Sequence, residues 1–133
     1  MATVLIADDA SFMRNSLKYI VENAGHTVVG MAKEGQEALE LYLKYKPDVV
    51  TLDLLMTGKD GFWALKEITK EDPKAKVIMV TAVGNEDRQE EAHEIGAAGY
   101  IRKPFKPTEI VNEINKVLDS NQGQIQTASN HPA

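Results

Sequence analysis

Cysteine is absent from the 133 residues. Disulfides and thiolate metal sites are therefore excluded, which is compatible with a reducing compartment, and a cytoplasmic location is expected. Long apolar runs are absent too. The amino-terminal run Val4-Leu5-Ile6-Ala7 is too short for a signal-peptide core and has no basic leader. No window approaches the length of a membrane span, so membrane insertion is not expected. The chain also lacks a positive excess. Its formal net charge is −5, which argues against nucleic acid as a direct partner. No internal repeat is visible. From Ser120 to Ala133 there is no Asp, Glu, Lys or Arg, and Ile125 is the one sizeable apolar residue. Residues 120–133 are therefore expected to form a disordered tail or the start of a linker, leaving residues 1–119 as one domain.

What remains has the balance of a soluble globular domain, with 43% hydrophobic and 26% charged residues. Short β-branched runs alternate with longer amphipathic stretches. The runs are Val4-Leu5-Ile6-Ala7, Thr27-Val28-Val29-Gly30-Met31, Val49-Val50-Thr51-Leu52, Val77-Ile78-Met79-Val80 and the weaker Gly99-Tyr100-Ile101. Three are nearly all apolar, which predicts strands covered on both faces. Between them, Met13, Leu17, Ile20, Val21 and Ala24 mark a helix that Gly25 stops. Ala38, Leu41, Tyr42 and Tyr45 mark a second, ended by Pro47, and Leu65 and Ile68 a third, ending near Pro73. Asn85 is a good N-cap for a fourth helix with Glu86 and Asp87 at its positive end, closed by Gly96. Pro107 opens a fifth, with Ile110, Val111, Ile114, Val117 and Leu118 as its apolar stripe. Five βα units predict an α/β fold, a doubly wound parallel sheet with right-handed crossovers. Ligands in such folds bind at the carboxyl ends of the strands.

The polar residues fall at those ends. The first strand runs into Asp8-Asp9, the third into Asp53, the fourth into Thr81-Ala82 and the fifth into Lys103-Pro104. One crevice can collect all of them. Two unit charges about 4 Å apart repel by about 4 kcal/mol at an effective dielectric of about 20. Three carboxylates therefore call for an offsetting cation or a bound proton. Mg²⁺ answers that need, since it takes carboxylates, waters and phosphate oxygens. Lys103 adds a positive charge able to pair with a phosphoryl oxygen, and Thr81 a small hydroxyl donor. A nucleophilic carboxylate, a metal and a cation are the parts for phosphoryl transfer to an aspartate.

Five separated motifs together resemble the receiver family of two-component response regulators over roughly residues 3–119. They are Asp8-Asp9, Val49-Val50-Thr51-Leu52-Asp53-Leu54-Leu55-Met56, Asp60-Gly61, Thr81-Ala82 and Gly96-Ala97-Ala98-Gly99-Tyr100-Ile101-Arg102-Lys103-Pro104-Phe105. The resemblance implies a flavodoxin-like (βα)5 sheet of strand order 2-1-3-4-5, an order for which chemotaxis receivers are themselves a type example. It implies Asp53 as phosphoacceptor and Asp9 as a direct Mg²⁺ ligand. Asp8 is then an acid acting on the metal through water, and the backbone carbonyl of Leu55 a further ligand. It implies Lys103 as the phosphoryl-pairing lysine, Thr81 and Tyr100 as a coupled switch pair, and a cis Lys103-Pro104 bond. The implied phosphodonor is a histidine kinase or a phosphotransfer protein. The implied output is a downstream protein docking on the surface of the fourth helix, fifth strand and fifth helix, with the chain a monomer or weak dimer that catalyses only its own phosphorylation and dephosphorylation. Family members commonly carry proline after the methionine that follows the acceptor. Here Thr57 and Gly58 stand there, which is expected to loosen the loop without touching a proposed ligand.

Other readings compete. Asp8 and Asp9 could simply cap the first helix. An aspartyl-nucleophile phosphatase of the haloacid-dehalogenase type would carry a second Asp two residues past the nucleophile, where Leu55 stands. A flavodoxin-like cofactor module would need a hydroxyl- and glycine-rich loop where Asp8-Asp9 stand. The chain could also be the amino-terminal receiver of a longer regulator with an output domain. The stretch Asp9-Ala10-Ser11-Phe12-Met13-Arg14 instead resembles the stand-alone chemotaxis-type receivers. Two apolar side chains, Leu55 two residues after Asp53 and Val83 two after Thr81, occupy the places best suited to guide a hydrolytic water, and slow loss of the phosphoryl group is expected.

Overall fold

The computed structural model describes the backbone of residues 1–127 and the side chains of residues 1–119. Its elements run β1 (Thr3–Ala7), α1 (Ser11–Asn23), β2 (Thr27–Ala32), α2 (Gly35–Tyr45), β3 (Val49–Leu52), α3 (Gly61–Glu71), β4 (Val77–Thr81), α4 (Glu86–Ile95), β5 (Gly99–Arg102) and α5 (Pro107–Thr127). The five strands form one sheet in the order β2-β1-β3-β4-β5, and every pairing is parallel. This is the flavodoxin-like fold that the alternation and the resemblance predict.

Period-two alternation sends each central strand's side chains to two different cores. Leu5, Ala7, Val50, Leu52, Val77 and Met79 join Ala38 and Tyr42 of α2, Ala64, Leu65 and Ile68 of α3, and Ala92 of α4. Val4, Ile6, Val49, Ile78 and Val80 join Leu17, Ile20 and Val21 of α1 and Ile110, Ile114 and Val117 of α5. Apolar residues on both faces are the reason these strands read as continuous hydrophobic runs.

The helix ends obey local chemistry. Asn85 and Asp60 cap α4 and α3, accepting from the backbone N–H groups of Arg88 and Trp63. Gly96 ends α4 with a positive φ of 140°, a conformation that other residues rarely adopt. Helix α1 differs from the plainer reading of Asp8-Asp9: its N-cap is Ala10, with no side-chain cap bond. Helix α5 continues to Thr127, past the boundary that the loss of charge after Asp119 predicts. The part of the expected tail at 128–133 lies outside the described residues.

The chain changes direction across the sheet between β1 and β3, so their carboxyl ends flank the crevice where ligands of such sheets bind. Strand-like bonding continues one residue beyond three strands. Asp8 N–H donates to the Ala32 carbonyl at 3.0 Å, Asp53 N–H to Ala7 at 3.0 Å and Lys103 N–H to Thr81 at 2.9 Å. The backbones of Asp8, Asp53 and Lys103 are thereby held by the sheet itself.

Candidate functional site

From those anchored backbones the side chains converge. Asp8 and Asp53 are buried, with 1% and 6% of their surface exposed. The Lys103 ammonium bridges them, 2.7 Å from Asp8 Oδ2 and 3.0 Å from Asp53 Oδ2. Asp8 Oδ1 accepts from the Ala10 N–H at 3.0 Å, and Asp53 Oδ1 from the Leu55 N–H at 3.1 Å. The Lys103-Pro104 bond is cis. Gly61 shows why the loop after Asp53 returns so tightly: a Cβ there would stand 2.1 Å from the Asp53 carbonyl oxygen. Any side chain at 61 would push the α3 entrance off the end of β3.

The electrostatics follow from this packing. Burial raises the Asp8 pKa above the ordinary carboxylate range, although the Lys103 and Ala10 hydrogen bonds pull the other way. Burial works against the Lys103 ammonium, but its hydrogen bonds to Asp8 and Asp53 win and raise its pKa. Two buried carboxylates against one ammonium leave a negative charge uncompensated, in a crevice lined with hard oxygen donors. That donor set fits Mg²⁺.

Asp9 stands apart. It is exposed, and its Oδ2 accepts from both the Thr57 N–H at 3.2 Å and the Thr57 hydroxyl at 3.1 Å. Among the described residues no three acidic or imidazole side chains are grouped closely enough to hold a metal. The expectation that the Thr57-Gly58 substitution touches no proposed ligand is therefore corrected, because Thr57 grips one directly. Arg14, in the stretch that resembles chemotaxis-type receivers, donates to the Asp8 carbonyl at 2.7 Å and ties α1 to the site. Neither contact has a signal in the sequence beyond the unusual threonine itself.

Thr81 is fully buried, and its hydroxyl oxygen accepts from the Val83 N–H at 3.3 Å. Tyr100 is half-buried and packs against the core on the α2–α4 face of the sheet, and its hydroxyl donates to the Val83 carbonyl. The two peptide groups of Val83 thus join Thr81 to Tyr100. Burial raises the Tyr100 pKa, keeping the phenol a donor. Tyr100 also lines two clefts of about 440 and 550 Å³, one against α4 with Glu90 and His93, the other against α5 with Asn112 and Glu113. Leu55 and Val83, far apart in sequence, share the walls of a cleft of about 200 Å³ with Leu54, Asp60, Phe62 and Arg88.

Comparison with known proteins points one way. Residues 4–115 match the family model described as the response regulator receiver domain. The chain is 48% identical to the chemotaxis protein CheY of Thermotoga maritima over 86% of its own length and 95% of the relative's. It is 41% identical to CheY of Bacillus subtilis over 87% of its length and 97% of the relative's. A crystal structure of the CheX–CheY–BeF3–Mg²⁺ complex from Borrelia burgdorferi superimposes with a TM-score of 0.85 at 32% identity, covering 86% of this chain and 87% of that one.

Proposed function

The chain belongs to the response regulator receiver family, and from that premise we propose that it is a signalling switch that accepts a phosphoryl group on Asp53. The observation that carries the reading is the Lys103 bridge between Asp8 and Asp53 at the carboxyl ends of a 2-1-3-4-5 sheet. In this reading the donor is a phosphohistidine of a histidine kinase or phosphotransfer protein. An Asp53 carboxylate oxygen attacks the phosphorus, the P–N bond breaks, and the imidazole leaves as an acyl phosphate forms.

This chain's residues prepare that step. The Leu55 N–H fixes one oxygen of Asp53, and the Lys103 ammonium turns from its present partners to an incoming phosphoryl oxygen. The Thr81 hydroxyl, accepting from Val83, keeps its own proton free to donate to another phosphoryl oxygen. Asp8, Asp9, Asp53 and the Leu55 carbonyl would hold Mg²⁺, which supplies positive charge to the transferring group.

The output runs through Thr81 and Tyr100. A phosphoryl group adds close to two negative charges beside Thr81. If the Thr81 hydroxyl turns to it, the Val83 peptides shift, and Tyr100 with them. The face formed by α4, β5 and α5 then changes shape for a downstream protein, with the chain acting as a monomer or weak dimer in the cytoplasm. The test is incubation with Mg²⁺ and a small phosphodonor, followed by intact-mass measurement. One added, base-labile phosphoryl group is expected; a chain that gains none from any donor contradicts the reading.

A further inference from the structure

The β3–α3 loop does not need Asp9 to keep its place. Gly61 N–H donates to the Leu54 carbonyl at 2.9 Å and closes the loop at its base. Gly35 N–H donates to the Lys59 carbonyl at 2.7 Å and fastens the loop to the start of α2. Asp60 is fixed as the cap of α3. The Thr57 hydroxyl is thus surplus to loop closure, and what it orders is the Asp9 carboxylate, two hydrogen bonds converging on a single oxygen. Among the described residues no hydrogen bond or ion pair joins that oxygen to the Asp8–Lys103–Asp53 cluster, where the other two acids meet.

We propose that Thr57 is a positioning residue that holds Asp9 in a resting orientation and competes with a divalent cation for it, setting a low Mg²⁺ affinity for the site. The inference rests on the reading that these aspartates take Mg²⁺. A cation that takes Oδ2, or swings the carboxylate toward Asp8 and Asp53, does so against the hydroxyl and amide bonds from Thr57. The amide bond survives any substitution but proline, so the hydroxyl is the adjustable part. Its removal frees Asp9 at no cost to the loop's own closure.

The experiment is Mg²⁺ titration of the full chain by calorimetry, paired with the shift in melting temperature that Mg²⁺ produces. Thr57→Val keeps the shape and removes the hydroxyl; Thr57→Ala removes it with less bulk; Thr57→Ser retains it. Loss of one hydrogen bond to a carboxylate at an exposed site should tighten Mg²⁺ binding about fivefold in the valine and alanine variants. The serine variant should stay within about twofold of wild type, since it keeps the donor. In an Asp9→Asn background, Thr57→Val should change nothing further, because the carboxylate it acts through is gone. The proposal is overturned if both hydroxyl-free variants bind Mg²⁺ no more tightly than wild type, or if the gain persists with Asp9→Asn. Those results leave the receiver reading standing. Absence of Mg²⁺ binding by the wild-type chain itself would overturn both.

Discussion

Lys103 Nζ lies 3.0 Å from Asp53 Oδ2, across 50 positions of chain and two strand ends, and 2.7 Å from Asp8 on its other side. A single ammonium therefore keeps two buried carboxylates together. Removing it by Lys103→Met leaves Asp8 with less of what opposes its burial, and its raised pKa rises further. The folded state then binds a proton more tightly than the unfolded chain, so stability recovers as pH falls through the folded-state pKa. Urea unfolding in metal-free buffer should show a loss of about 3 kcal/mol near pH 7 that shrinks as the pH is lowered. Phosphoryl uptake should fall about 10²-fold.

Tyr42 and Asp72 make a purely structural pair whose pH behaviour can be foretold. The Tyr42 hydroxyl donates to Asp72 Oδ2 at 2.7 Å, tying α2 to the turn after α3. That bond holds the Asp72 pKa below the ordinary value, while burial followed by the Asp72 contact raises that of Tyr42. A depressed acid contributes stability above its unfolded pKa and loses it as pH falls through the folded one. A raised tyrosine contributes below its unfolded pKa and loses it as pH rises. Tyr42→Phe should cost about 1 kcal/mol between about pH 5 and pH 9, with the difference shrinking outside that window. A pH-independent difference in chemical denaturation would contradict this.

The proposed coupling through Val83 would make the phenol of Tyr100 a signalling group more than a chemical one. Tyr100→Phe keeps the ring in the core and removes the bond to the Val83 carbonyl. Phosphorylation of Asp53 should stay within about twofold of wild type. The amide resonances of residues 82–85 and binding of the phosphorylated chain to its target should change by the equivalent of about 1 kcal/mol, some fivefold in population. Thr81→Ala should uncouple in the same direction. Equal losses of phosphorylation and binding in both variants would argue against the coupling.

In the proposed switch, Leu55 and Val83 would bear on how long the signal lasts. Leu55 is 60% exposed beside Asp53, and Val83 is half-buried across the same small cleft. Neither can orient a water in line with the phosphorus. Positioning by a polar side chain is commonly worth about 10²-fold, so Leu55→Asn with Val83→Glu should shorten the phosphoprotein half-life by about tenfold or more. Phosphate release from donor-free phosphoprotein with Mg²⁺ is the measurement, and an unchanged half-life would place the limit elsewhere.

Strand ends were the legible part of this molecule. Asp8, Asp53 and Thr81 follow apolar runs directly and Lys103 follows one across Arg102, and a parallel sheet must bring such positions to one edge. The helices were readable for a similar reason, since Leu17, Ile20 and Val21 or Ile110 and Ile114 repeat at helical spacing. Contacts between loops carry no such period. Nothing in the residues around Asp9 announces Thr57, 48 positions away, nor does Tyr42 announce Asp72. Helix α5 extends past Asp119 through polar, uncharged residues whose pattern resembles a tail.

The central claim is that Asp53 receives the phosphoryl group. Wild-type chain and the Asp53→Asn variant, each folded, should be exposed to Mg²⁺ and the same small phosphodonor, and the phosphoryl group mapped by borohydride reduction and peptide mass analysis. The account predicts a single label on Asp53 in the wild type and none at wild-type rate in the variant. Labelling of the variant at full rate, or a wild-type label on any other residue, would contradict it.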